Sequence, residues 1–151
     1  MAHEICFMTA VELAAKIAGK ELSAREVMAA HIDQIQRVNP EVNAIVSMLD
    51  RDQALALADE ADRKQAAGAP LGPLHGLPTA FKDLEDAAGF PTSQGSPLFA
   101  GTMPEKDSVL VERIRAAGAI GIGKTNVPEF GLGSHSFNPV FGVTRNPYDL
   151  S

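Results

Sequence analysis

Eight consecutive residues at positions 118–125, GAIGIGKT, match the phosphate-binding pattern G-x-x-x-x-G-K-[ST] at each required position. In a loop of this kind, glycine backbone N–H groups point at phosphates, the lysine contacts the terminal phosphates and the hydroxyl ligates a magnesium ion. The chemistry requires a buried strand that leads into the first glycine and a helix that begins directly after the lysine. The residues on either side therefore decide whether the stretch can bind a nucleotide.

The flanks of this stretch indicate a helix followed by a strand, which is not the order that a phosphate loop needs. Before Gly118, charged residues alternate with an apolar face at helical spacing, formed by Leu110, Val111, Ile114 and Ala117. After it, residues 119–123 are apolar and contain glycines that allow close packing, as in a buried parallel strand. We therefore predict that Gly118 ends a helix, that Lys124 lies in the loop after the strand, and that no nucleotide binds here.

Other arrangements of reactive side chains are less well supported. His75 and His135 could join a Ser-His-Asp triad with one of the serines at 93, 96, 134 and 136, but the sequence contains no G-x-S-x-G turn. We interpret His75 as a residue that shapes a Pro/Gly-rich loop through hydrogen bonds. No pair of Cys or His residues has the spacing of metal ligands, so neither a metal nor another cofactor is expected.

Composition restricts the possible partners and compartments. The chain has 151 residues, of which 45% are hydrophobic, and this is enough for one globular domain with a buried core. Its 13 basic and 19 acidic residues give a net charge of −6 without a basic patch, so direct binding of nucleic acid is not expected. The sequence contains no run of 18 apolar residues, so a membrane-spanning helix is not predicted. Because Cys6 is the single cysteine, no internal disulfide is possible, and a cytoplasmic location is expected.

Local signals divide the chain into elements that would position any functional residue. Two S/T-x-x-E sequences, at Thr9 and Ser23, and Asp50 mark the starts of helices. A helix stop is expected at Asn39-Pro40, and residues 69–78 form a loop rich in proline and glycine. The elements expected are helices at about 9–18, 23–38 and 50–67, strands at 43–49, 79–84 and 119–123, a helix before Gly118 and a short helix that begins near 127–128.

The loop and the strand after it carry a resemblance to a known family. Residues 72–83, GPLHGLPTAFKD, resemble the segment that delivers the catalytic lysine in the amidase signature family. The resemblance continues in order through residues 89–96, 107–119, 123–130 and 141–151. It implies an α/β fold with a mixed sheet flanked by helices, incomplete in this chain. We accordingly divide the chain into a helical amino-terminal region, 1–69, and the first part of the family's α/β core, 70–151.

The resemblance implies that Lys82 is the catalytic lysine and that the activity is hydrolysis of a small-molecule amide. In this family a Ser, cis-Ser, Lys relay is thought to pass a proton from the nucleophile to the lysine, which must be neutral to accept it. The apolar residues before Lys82 predict a strand in which Lys82 points into the interior and Asp83 points to the opposite face. Gly131 matches a position whose backbone faces the substrate, although Gly131 and Gly133 could equally be a helix stop.

The resemblance also implies that parts of the site are absent. In the family, the N-P-[YW]-D-L-S run, here residues 146–151, is followed by a segment that holds the cis-serine and later by the nucleophilic serine. We therefore expect this chain to be inactive alone and to expose sheet edges that favour self-association or a homo-oligomer. Two alternatives remain open: a non-catalytic truncated or partner-dependent module, and a subunit of a glutamine-dependent amidotransferase.

Overall fold

A computed structural model describes residues 2–150 of the chain, with side chains from residue 4 onward. Its helices are α1 (Ala2–Ile5), α2 (Ala10–Ala18), α3 (Ala24–Val42), α4 (Arg51–Ala66) and α5 (Val109–Ala116). Its strands are β1 (Ile45–Met48), β2 (Pro78–Lys82), β3 (Ile120–Thr125), β4 (Phe137–Asn138) and β5 (Gly142–Val143). A 3-10 turn spans Glu129–Gly131. The order of helices and strands agrees with the predicted α/β class.

The polar residues predicted to begin helices do so through their side chains. At α2, Thr9 Oγ1 accepts a hydrogen bond from Glu12 N at 3.2 Å, and Glu12 Oε2 accepts one from Thr9 N at 2.7 Å. Ser23 begins α3 through the same reciprocal pair with Glu26. Asp50 Oδ1 accepts from Gln53 N at 2.8 Å at the start of α4. Since each cap satisfies backbone donors that have no partner within the helix, these three helix starts could be read from local sequence.

The predicted end of the second long helix at Asn39-Pro40 is wrong, because α3 continues through Pro40 to Val42. The side chain of Asn39 bonds to the residues that follow the helix. Its Oδ1 accepts hydrogen bonds from Ala44 N at 2.9 Å and Ile45 N at 2.8 Å, and its Nδ2 donates to Ile45 O at 2.8 Å. One side chain thus holds the turn that leads from α3 into β1.

The main sheet has the strand order β1-β3-β2 and is mixed. β1 is antiparallel to β3, with Ile45 opposite Thr125 and Met48 opposite Gly123. Between β2 and β3, Ile120 N donates to Leu77 O at 2.8 Å and Asp83 N donates to Thr125 O at 3.0 Å. These bonds follow the same order along both strands, as parallel pairing requires. The mixed sheet confirms the predicted fold class.

The order of elements around residues 118–125 is the predicted one. Helix α5 ends at Ala116, Gly118 adopts a φ of +96°, and β3 follows. The strand extends to Thr125, however, so the prediction that Lys124 lies in a loop after the strand is wrong. A short helix was expected to begin near 127–128, and the structure has the 3-10 turn at Glu129–Gly131 with Pro128 at its start, although Phe130 within it has a non-helical φ of +54°.

The described residues cluster into two compact units that do not follow the order of the chain. One contains the residues up to Arg37 together with Leu49–Thr79 and Arg113–Ile122, and the other contains Val38–Met48, Ala80–Glu112 and the residues from Gly123 onward. The core of the first unit consists of Ile5, Leu13, Ile17, Val27, Ala30 and Leu77. The division at residue 69 stays a prediction. Within the described residues, no helix has the length and apolar character to cross a membrane.

The close pairing of β1 and β3 generates a testable requirement for glycine at position 123. A Cβ added there would collide with Ser47 O and lie 3.1 Å from Ile45 Cγ2. We expect Gly123→Ala to lower the free energy of unfolding by about 3 kcal/mol, because backbone on the neighbouring strand cannot yield as a flexible side chain would. Urea denaturation measures this loss.

Gly101→Ala is the matched control. Gly101 has a φ of +82°, and nothing lies within 4 Å of an added Cβ. It should lose only about 1 kcal/mol, from backbone strain alone. Equal losses in the two variants would show that the contact with β1 does not require glycine.

Candidate active site

Lys82, the predicted catalytic residue, lies at the end of β2 with its side chain exposed. Among the described residues, its side chain has no hydrogen bond or ion pair. The neighbours on either side are buried, Phe81 at 3% exposure and Asp83 at 1%. The alternation of faces was therefore predicted correctly, but the assignment of the faces was wrong: Asp83 points inward and Lys82 outward. The catalytic role of Lys82 is a separate question and stays a prediction.

The Asp83 carboxylate is held by the segment 93–95. Ser93 Oγ donates to Asp83 Oδ2 at 2.5 Å, and Ser93 N lies 3.2 Å from both carboxylate oxygens. Gly95 N contacts Asp83 Oδ2 at 3.4 Å and also donates to Ser93 Oγ at 3.0 Å. Hydrogen bonds from backbone N–H groups and a hydroxyl stabilise a carboxylate in its charged form. This environment therefore suits a buried aspartate without access to water.

Lys124 supplies the opposite charge from β3, and its side chain is completely buried. Its Nζ donates to Glu85 O at 2.7 Å, to Thr92 Oγ1 at 2.8 Å and to Pro91 O at 3.3 Å, and it lies 3.6 Å from Asp83 Oδ1. Burial lowers the pKa of Lys124, while the Asp83 carboxylate acts in the opposite direction. We call Asp83, Thr92, Ser93 and Lys124 the buried cluster.

Gly131, the predicted substrate-binding position, ends the 3-10 turn in an exposed location. Its φ is +73°, and an added Cβ would lie 2.9 Å from Leu84 Cδ1. Phe130 N donates to Gln94 O at 2.8 Å. The turn is therefore packed against the residues that directly follow Lys82, so the structure brings the surroundings of the two predicted site residues together.

An open cavity of about 490 Å³ lies along the loop that follows this turn. Its lining includes Glu129, Phe130, Leu132 and His135. Asn138 supports the loop from inside, since its Nδ2 donates to Asn126 Oδ1 at 2.6 Å and to Val127 O at 2.8 Å. A recess with apolar walls and a few polar groups is the usual form of a small-molecule site.

His75, which was also considered from the sequence, has a structural role. His75 is buried, and its Nε2 lies 3.1 Å from Ala61 O. This contact agrees with the interpretation of His75 as a residue that shapes its loop. In the part of the chain with described side chains, no cluster of three or more His, Cys, Asp or Glu residues is placed to hold a metal ion.

The buried cluster was not predicted from the sequence, although a signal for it was present. Asp83 and Lys124 stand at the carboxyl ends of two strands, β2 and β3, that run parallel and side by side. Parallel neighbours bring their carboxyl ends to the same edge of a sheet, so opposite charges there are expected to meet. Recognising the pair requires the strand order, which local patterns do not contain.

Burial of Lys124 leads to a prediction about pH. Because its pKa is lowered from the usual 10.5, the unfolded chain binds more protons than the folded protein between the lowered value and pH 10.5. The free energy of unfolding of the parent should therefore rise with pH across that window, relative to Lys124→Met. Urea denaturation at successive pH values up to 10.5 measures the difference.

Lys82→Met, which removes an exposed amine, is the control and should retain the pH dependence of the parent. A constant difference in stability between the parent and Lys124→Met at all pH values would contradict the prediction.

Comparison with known proteins matches the chain to amidases and to a subunit of an amidotransferase. A family model described as Amidase matches residues 26–151. One relative, a glutamyl-tRNA(Gln) amidotransferase subunit of Acidothermus cellulolyticus, is 50% identical over 143 residues, which make up 95% of this chain and 28% of that protein. An acylamidase of Rhodococcus erythropolis is 42% identical over 144 residues, 95% of this chain and 30% of the relative. The chain thus spans less than a third of the length of these curated relatives.

A solved structure shows the same fold. The native peptide amidase of Stenotrophomonas maltophilia matches with a TM-score of 0.84 and 34% identity, over 95% of this chain and 31% of that one. The family model covers most of the chain, and the relatives and the structure are named as amidases or as part of an amidotransferase. The chain therefore belongs to the amidase signature family.

Proposed function

We propose that this chain serves the hydrolysis of a linear amide bond, with Lys82 as the general base of a Ser, cis-Ser, Lys relay. The observation that carries the proposal is the position of Lys82: its amine is exposed and without a partner among the described residues, while Asp83 next to it is anchored inside. A general base needs a fixed backbone and an amine without another partner, so that the amine can accept a proton from an incoming hydroxyl. Because a base must be neutral, we expect further segments to cover Lys82 during the reaction.

The substrate would lie near the turn that contains Gly131. Gly131 is exposed, and a Cβ added to it would lie 2.9 Å from Cδ1 of Leu84, two residues after Lys82. The cavity beside it is lined by Phe130 and Leu132. The backbone N–H groups of the turn already donate to protein carbonyls, Phe130 N to Gln94 O at 2.8 Å and Gly131 N to Pro128 O at 2.8 Å, so the support for this position is the recess with apolar walls. A small-molecule amide is therefore the substrate class that we propose.

A second candidate function is that of one component of a glutamine-dependent amidotransferase. Its support is the identity of 50% to the glutamyl-tRNA(Gln) amidotransferase subunit of Acidothermus cellulolyticus. In such an enzyme the same relay would release ammonia from a carboxamide for transfer to an acceptor. A non-catalytic or partner-dependent module is the remaining alternative, and activity measurements distinguish it from both.

The first test uses a chimera in which this chain replaces the matching segment of the Acidothermus cellulolyticus relative. Lys82→Ala in the chimera should lower kcat at least about 1,000-fold, because members of a catalytic relay act as one unit. In the 151-residue chain, where the side chain is exposed, the same substitution should change the free energy of unfolding by less than about 0.5 kcal/mol. Lys106→Ala, which removes another exposed lysine, is the control and should keep full activity. Equal turnover in the Lys82→Ala and Lys106→Ala variants would remove Lys82 from the mechanism.

The second test concerns the 151-residue chain by itself. We expect no hydrolysis of aryl amides, aliphatic amides or esters, because among the described residues no hydroxyl forms a hydrogen bond with the amine of Lys82. Turnover by the chain alone would mean that one of its own serines is the nucleophile, and the proposed relay would then be wrong.

We also expect the isolated chain to associate with itself. β1 and β2 form the edges of the three-stranded sheet, and large apolar side chains such as Leu98, Leu132 and Tyr148 are at least 80% exposed. Open edges and apolar surface favour association. Size-exclusion chromatography with light scattering measures the mass, and a strictly monomeric chain at all concentrations would contradict this expectation.

A further inference from the structure

The buried cluster has no direct access to a substrate. Asp83, Ser93 and Lys124 are each between 0% and 2% exposed. Two charges in such surroundings are expensive to desolvate, and apolar residues of similar volume often stabilise a fold equally well. Stability alone therefore does not explain why charged residues occupy this cluster, and the groups to which they donate and from which they accept hydrogen bonds indicate another role.

Those hydrogen bonds end on the backbone of the segments that flank the proposed site. Lys124 Nζ contacts Glu85 O and Pro91 O, and Asp83 Oδ2 contacts Gly95 N. Lys82 is joined to the same region, since Glu85 N donates to Lys82 O at 2.9 Å. The cluster thus fixes the chain on both sides of Asp83, including the residue that presents Lys82.

Gln94 extends this connection to the Gly131 turn. Its N donates to Asp83 O at 3.0 Å, and its O accepts from Phe130 N at 2.8 Å. The φ of Gln94 is +55°, a conformation that a residue with a side chain adopts at a cost in free energy. The neighbouring Gly95 allows close approach, because an added Cβ would lie 3.2 Å from Glu129 Cα. One strained residue therefore bonds the backbone after Lys82 to the backbone before Gly131.

We propose that Asp83, Ser93, Thr92 and Lys124 are positioning residues that hold Gln94 in place and so fix the distance between Lys82 and the Gly131 turn. This proposal rests on the proposed function, in which those two positions serve as base and substrate contact. Acyl transfer needs both at defined places, and a displacement of about 1 Å can lower the rate about a hundredfold. Directional hydrogen bonds to a buried ion pair restrict the backbone more tightly than apolar packing does.

The first experiment measures the backbone connection without reference to catalysis. Amide hydrogen exchange is followed in the 151-residue chain for the parent, Ser93→Ala and Ser96→Ala. Ser96 is also fully buried in the same loop, but among the described residues its Oγ accepts a hydrogen bond from Leu98 N alone, at 3.4 Å, so it is the matched control. Ser93→Ala should accelerate exchange at Gln94 and Phe130 about tenfold, although neither amide bonds to Ser93 itself.

Two other amides serve as reference. Leu74 N and Gly76 N bond to Ala117 O and Gly118 O, outside the cluster, and their exchange should not change in Ser93→Ala. Unchanged exchange at Gln94 and Phe130, or the same acceleration at Leu74 and Gly76, would overturn the proposal. Thr92→Val, which removes the hydroxyl that accepts from Lys124 at nearly constant volume, is the second variant and provides the same comparison if Ser93→Ala does not fold.

The second experiment measures catalysis in the chimera with the Acidothermus cellulolyticus relative. Ser93→Ala should lower kcat per folded molecule about a hundredfold with little change in KM, while Ser96→Ala keeps both parameters. If Lys82→Ala abolishes activity but Ser93→Ala keeps the kcat of the parent, the positioning role is wrong and the proposed function stands. If Lys82→Ala is active, the proposed function fails, and hydrogen exchange still decides whether the cluster holds Gln94.

Discussion

Burial of the Lys124 ammonium group is the constraint on which the arrangement of the second unit depends. An ammonium group removed from water must be surrounded by oxygen atoms, and a nearby carboxylate must balance its charge. Here the carbonyls of Glu85 and Pro91, the hydroxyl of Thr92 and the carboxylate of Asp83 fulfil both requirements. Asp83 and Glu85 precede residues 86–90, and Pro91 and Thr92 follow them. The loop formed by residues 86–90 must therefore bring the chain back to Lys124 in β3.

The same constraint determines which way Lys82 points. Asp83 must face inward to reach Lys124, and successive residues of an extended chain face opposite sides. Lys82 therefore faces outward as a consequence of its neighbour's ion pair, whatever its own preference for burial. The apolar residues before Lys82 suggested the opposite orientation, because they indicate a buried strand but do not show the ion pair that decides which of the two residues faces inward.

The parts of the fold that were predicted from the sequence are those that local chemistry determines. Thr9, Ser23 and Asp50 begin helices through contacts with residues three positions away, and such contacts are visible in the sequence. The errors involve contacts that local patterns do not show. Asn39 bonds to the residues that lead into β1, and Lys124 belongs to a strand because its backbone pairs with Ser47 of β1, far earlier in the chain. Lys82 and Gly131 were predicted from the family resemblance. The buried cluster could have been predicted only with knowledge of the strand order.

The match to a phosphate loop shows how one set of residues can satisfy two different requirements. Glycine is needed at 118 because a Cβ there would lie 2.8 Å from His75 Cα, and at 123 because β1 passes close by. A lysine at 124 finds carbonyl oxygens and a carboxylate where a nucleotide would offer phosphate oxygens. Glycines without a side chain and a lysine with a terminal cation serve both a phosphate loop and a closely packed strand. The sequence pattern alone therefore does not distinguish a phosphate loop from such a strand. What separates them is burial: a lysine whose hydrogen bonds all end inside the protein has no donor left for a phosphate.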